Sequence, residues 1–252
     1  MHAWTIGLIV MACVFGGALA GLWLRGALSG EHLSDETKDV VRVVSGLIAT
    51  LSALVLGLLI ASAKSSFDGV NDGFAQIAAK VVLLDHALAQ YGPAARPARE
   101  QLRRAYAASV DRILAVQGGA GAERVLREAA PMAQLESALQ TLEPGDATQR
   151  ALKQRAEQLL NDIAQIRWLG IERSAEATPT AFLVVLVSWL AAMFLSFGLF
   201  SPSTPTALVA LAIGAVAVST AIFLIEEMGR PLEGMIAVSA EPLRAALPAL
   251  DR

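Results

Sequence analysis

The sequence predicts an all-α integral membrane protein: four transmembrane helices, with a cytoplasmic helical bundle between the second and the third. Three observations carry this. The chain of 252 residues is 55% hydrophobic and 17% charged, against about 25% charged in an ordinary soluble domain, and its mean hydropathy is +0.53. Four stretches are uncharged and long enough to cross a bilayer, since a helix rises ~1.5 Å per residue through a hydrocarbon core ~30 Å thick. Residues 65–178 instead place apolar residues among charged ones at steps of three and four, the helical period, with no strand-like alternation.

Composition also excludes several functions. Net charge is −3, without the basic excess of a nucleic-acid binder. The single cysteine, Cys13, rules out an intramolecular disulfide and any multi-cysteine metal site. His2, His32 and His86 lie far apart, so no metal site and no cofactor is expected. No HExxH, nucleophile elbow or Walker pattern is present, and no catalytic residue is assigned.

The elements follow in order. The first span covers 3–24 and stops before Arg25. Ala18-Leu19-Ala20 imitates a cleavage site, but the preceding residues hold no lysine or arginine and the apolar stretch is long, so a retained span is expected. In the loop that follows, Glu31, His32, Asp35 and Glu36 read as a helix start, with Ser34 as N-cap and acids in the first turn; a cation contact is the competing reading. The second span, 43–63, lies between Arg42 and Lys64 and completes the first region, 1–64. The uncharged run 177–225 is too long for one span. Pro202 and Pro205 break it, giving spans at 179–200 and 207–225 in a region 179–226, followed by a cytoplasmic tail, 227–252.

Within 65–178, Phe74, Ile77, Val81, Leu84 and Leu88 mark one helix, ended by Tyr91-Gly92-Pro93. Leu102, Tyr106, Ile113 and Leu114 mark a second, up to the glycine-rich loop at 118–121, which lacks the strand and lysine of a phosphate cradle. Leu135, Leu139 and Leu142 mark a third, closed by Pro144-Gly145. Asp146 caps a long fourth helix with Leu152, Leu159, Ile163 and Ile166 on its core stripe, and His86 falls on the bundle surface. Lysines and arginines favour the cytoplasmic side. Lys64, Lys80, Arg167, Arg173, Arg230 and Arg244 outnumber Arg25, Lys38 and Arg42, so both termini and 65–178 are placed inside.

On a helical wheel, one half of the second span carries Ser45, Gly46, Ala49, Thr50, Ser52, Ala53, Gly57 and Ala61, with Arg42 and Lys64 at its ends. The other half carries Leu47, Ile48, Leu51, Leu54, Val55, Leu58 and Leu59, while Leu56 and Ile60 intrude on the small side. A small half suits close helix packing or a conduit. The candidate lining is Ser45, Ala49, Ser52, Ala53, Gly57 and Ala61; the candidate charged mouth is Arg42, Lys64, Glu226 and Glu227, with Lys64 expected to pair with one of the two glutamates. Ala210, Gly214, Ala217 and Ala221 form a similar seam on the fourth span, read as plain packing.

Four segments in this order resemble the bacterial bestrophin-like family: 39–66 (DVVRVVSGLIATLSALVLGLLIASAKSS), 84–113 (LDHALAQYGPAARPAREQLRRAYAASVDRI), 188–202 (SWLAAMFLSFGLFSP) and 221–247 (AIFLIEEMGRPLEGMIAVSAEPLRAAL). The chain departs at Ser203, where an asparagine or similar is expected, and its second span lacks the aromatic residues of bestrophin pores. The resemblance implies a multi-pass protein of the bacterial inner membrane, related to pentameric anion channels whose second helix lines the pore. Two functions are therefore expected in competition. One is a homo-oligomeric, anion-preferring channel lined by the second span. The other is a non-conducting scaffold or sensor whose cytoplasmic helices dock a protein partner.

Overall fold

A computed structural model describes residues 3–27, 35–116, 130–175, 180–202, 204–229, 231 and 235–250. The Ser34 cap with Glu31 and His32, the 118–121 loop, Ser203 and Arg230 lie outside the described residues. The helices are α1 (Ala3–Ala27), α2 (Asp35–Tyr91), α3 (Arg96–Val116), α4 (Ala130–Gln140), α5 (Ala147–Ala175), α6 (Thr180–Phe200), α7 (Pro205–Met228) and α8 (Glu241–Leu250), with a 3-10 turn at Pro93–Ala95. No strand occurs among the described residues. Helices α1, α2, α6 and α7 are long and apolar enough to cross a membrane.

The chain divides into two compact units, 1–65 with 177–229, and 66–176 with 230–252. Helix α2 contributes its first half to one and its second half to the other.

In the first unit α1 packs against α6 and α7. Val10, Val14 and Ala18 meet Leu186, Leu190 and Phe194 of α6 and Ala215 and Ile222 of α7, with Val55, Leu56 and Leu59 of α2 against the same core. The α1–α6 contact is one of backbone on backbone. A Cβ at Gly17 would stand 2.7 Å from the Ala191 carbonyl oxygen, and one at Gly21 or Gly198 would stand closer still to Leu195 or Ala18. Glycines 17 and 21 are one turn apart, the small-xxx-small spacing that lets helices approach when lipid supplies no hydrophobic drive. The small residues around Ala18 therefore have a packing role. The Ser219 hydroxyl donates to the Gly7 carbonyl at 2.8 Å, and the rings of Trp4 and Phe223 lie 5.0 Å apart. At the start of α7, Thr204, in extended conformation, accepts from the Ala207 N–H, and Pro205 takes the first helical position.

The α7 seam differs from expectation. Ala210 and Ala217 are exposed, and the buried stripe runs through Ala215, Ser219 and Ile222. Gly214 and Ala221 are half-buried, and a Cβ added at Gly214 would lie 3.2 Å from the Phe194 ring. A span that is apolar all round has no periodicity to reveal its inner face.

The second unit packs its helices around one apolar core. Phe74, Val81, Leu84, Leu88, Leu102, Tyr106, Leu135, Leu139, Leu142, Leu159 and Ile163 form one core, with Ile77, Ile113, Leu114 and Leu152 half-buried against it. Helix α2 ends at Tyr91 because Gly92 takes φ 106°, a conformation open to glycine. Asp146 caps α5, its carboxylate accepting from the Gln149 N–H at 2.7 Å, and the Gln149 amide donates to the Tyr91 carbonyl at 3.2 Å. His86 is exposed. The stretch read as a tail contains α8, whose Leu243, Ala246 and Leu250 are buried in this core against α3. The Tyr106 hydroxyl donates to the Leu243 carbonyl at 2.8 Å. The helical spacing of those three residues, behind Ser239 accepting from the Glu241 N–H, was the available signal.

Candidate functional site

The spanning part of α2 presents three stripes, where a wheel divided by residue size shows two halves. One stripe faces the first unit: Ser45 and Ser52 are buried, and Ile48, Val55, Leu56 and Leu59 are half-buried. The second consists of Arg42, Gly46, Thr50, Ala53, Gly57, Ala61 and Lys64 with one large residue, Ile60, among them, all exposed on the protomer. The third, Val43, Leu47, Leu51, Leu54 and Leu58, is also exposed. Ala49 sits between the first two, half-buried. Of the candidate lining residues, Ala53, Gly57 and Ala61 thus share an outward stripe, whereas Ser45 and Ser52 turn toward the helices behind.

The outward stripe is shallow. A Cβ added at Gly46 or Gly57 meets nothing within 4 Å. The Thr50 hydroxyl donates to the Gly46 carbonyl one turn back at 2.9 Å, so it adds little polarity. The Ser52 hydroxyl is buried and makes no hydrogen bond.

The charged candidates bracket the span. Arg42 and Lys64 stand ~33 Å apart along the helix at ~1.5 Å per residue, close to the thickness of a hydrocarbon core. Arg42 pairs with Asp39 at 3.0 Å, both being strongly exposed. Lys64 is exposed, whereas Glu226 and Glu227, in the last turn of α7, are buried. Exposed Trp4 and Trp23 bracket α1 in the same way, as aromatic residues do at bilayer interfaces. At one end the Arg25 guanidinium donates to the Ser201 carbonyl, joining the end of α1 to the end of α6.

The second unit holds an ion pair that residue-by-residue reading missed. Asp85, 1% exposed, accepts two bonds from Arg99, at 2.8 Å from Nε and 2.6 Å from Nη2. The hydrogen bond to Asp85 raises the Arg99 pKa further. The signal was an aspartate on the Val81–Leu84–Leu88 stripe. A second pair, Lys80 with Asp162 at 2.7 Å, is more open. A cavity of about 270 Å³ between α2 and α5 is lined by Phe74, Ile77 and Arg167 among others. Burial lowers the Arg167 pKa, and the charge of Arg112 lowers it further. Among the described residues no three His, Cys, Asp or Glu side chains form a metal-holding group.

Four helices long and apolar enough to cross a membrane, a polar helical unit, and a small-residue stripe on the second of the four define a class of helical membrane protein. The bestrophin-like domain model matches residues 12–243. The chain belongs to the bestrophin-like family. It is similar in fold to crystal structures of two single-substitution variants of a bacterial bestrophin homologue from Klebsiella pneumoniae. The first is 16% identical with a TM-score of 0.60, covering 98% of this chain and 96% of that one. The second is 17% identical with a TM-score of 0.54, covering 99% and 96%. No curated protein matches the chain.

Proposed function

We propose that the protein is a homo-oligomeric, anion-preferring channel of the bacterial inner membrane, with the second span of each copy lining the conduit. The observation that carries this reading is the exposed stripe of Gly46, Ala53, Gly57 and Ala61. Glycine and alanine there leave room that leucines elsewhere on the helix would fill. The cations Arg42 and Lys64 at its two ends favour anions over cations at both mouths. Ala49, Ser45 and Ser52 stand behind the stripe as its supporting wall. The same reading places 65–178 and both termini in the cytoplasm, on the lysine and arginine count.

The test is conductance of the purified protein in planar bilayers, beside its measured oligomeric mass. Anion current from an oligomer is expected. Gly57→Leu should leave the protomer folded, since nothing lies within 4 Å of its Cβ, yet reduce conductance severalfold. A silent monomer overturns the proposal and favours the scaffold reading.

A further inference from the structure

A cleft of about 540 Å³ opens between the start of the spanning part of α2 and the end of α6. One wall carries Lys38, Arg42 and Ser45; the other carries Ser196, Phe197 and Phe200. We propose that this cleft binds the headgroup of an anionic membrane phospholipid. The inference does not rest on conduction.

Position is the first support. Arg42 is the last charge before the apolar part of α2, and Phe200 ends the apolar run of α6. Arg25, the first charge after the apolar part of α1, bonds to the carbonyl of Ser201, which also lines the cleft. All three therefore lie where a spanning helix leaves hydrocarbon for water, the depth of the lipid phosphates. Chemistry is the second support. Two cations, Lys38 and Arg42, line the cleft, and among the described lining residues there is no carboxylate. Asp39 takes a single bond from Arg42 at the surface, and a guanidinium has five N–H donors, so a phosphate can be bound beside it. The Ser45 hydroxyl lines the cleft as well, and Ser196, whose hydroxyl donates to the Ala192 carbonyl at 3.0 Å, keeps its oxygen lone pairs for a headgroup hydroxyl. Shape is the third support. Phe197 is 45% exposed and lies one turn deeper than the Ser201 carbonyl, offering an apolar face to the first carbons of an acyl chain. A soluble anion would use the cations and leave that face idle, so the membrane lipid is the source that fits the whole cleft.

The experiment uses the full chain, delipidated in detergent. Binding is read by native mass spectrometry and thermal shift with phosphatidylglycerol, phosphatidylcholine and soluble glycerol phosphate. Phosphatidylglycerol should bind and raise Tm; the other two should do so far less. Lys38→Gln with Arg42→Gln should weaken phosphatidylglycerol about thirtyfold, each cation near a headgroup being worth roughly a factor of five. Ala49→Leu, which fills the cleft and keeps both charges, should also weaken it. Lys153→Gln in the second unit, a remote cation, should change nothing. Equal binding of the two phospholipids, unchanged binding by the double variant, or equal stabilisation by glycerol phosphate would each overturn the proposal. Lipid binding in a protein that passes no current would sink the channel reading and leave this one standing.

Discussion

The two units solve one packing problem in opposite ways. In the first, helices α1 and α6 touch backbone to backbone through Gly17, Gly21 and Gly198. In the second, α2, α3, α4, α5 and α8 are held apart by leucines, isoleucines and aromatic rings. The solvent explains the difference. Lipid is as apolar as a leucine side chain, so burying leucine between spans gains little, and dispersion at short backbone separation has to hold them. Water makes burial favourable by roughly 25 cal/mol per Å² of apolar surface, so large side chains hold the polar unit. Polar contacts divide likewise. The first unit links α7 to α1 by a serine hydroxyl on a carbonyl, while the second can afford Asp85 and Arg99 in its wall.

The comparison breaks most severely at Gly21. Gly21→Leu should cost more than about 3 kcal/mol, beyond ordinary overpacking, because the clash is with the Leu195 backbone and cannot be relieved by a rotamer. Gly46→Leu, on an open face, should cost almost nothing. Thermal unfolding in detergent micelles measures both, and equal midpoints would remove the close approach as the clamp of the first unit.

A smaller effect is expected in the polar unit. Arg99→Ala should destabilise by about 2–4 kcal/mol, since it strands the buried Asp85 carboxylate. Asp162→Ala should cost less than about 1 kcal/mol, because that pair is about a third exposed. Denaturant titration of both variants sharpens the point that burial, more than the number of ion pairs, sets their worth.

A modest effect is expected at α8. Tyr106→Phe removes the bond to the Leu243 carbonyl and should cost about 1 kcal/mol, read as faster proteolysis near residue 240. Burial raises the Tyr106 pKa, so the folded state holds its proton more tightly than the unfolded state. That stability is complete below pH ~10, the ordinary tyrosine value. It is lost as pH rises from there toward the raised folded value. Proteolysis of the parent should accelerate above pH ~10, and that of Tyr106→Phe should depend less on pH.

The amino-acid sequence by itself determined the helical class, the four helices suited to spanning, the breaks at Gly92 and Pro202, the Asp146 cap and about half of the polar unit's core. These are local or periodic properties: an amphipathic helix states its inner face, and proline and glycine state where a helix stops. Only the tertiary structure decided which face of α7 and of the spanning part of α2 turns inward, because a uniformly apolar helix carries no such mark. Only it brought Asp85 to Arg99, Tyr106 to Leu243, and Arg42 to the edge of α6. Those pairings join residues from different helices, and their partners are set by how the helices pack, which no local pattern encodes.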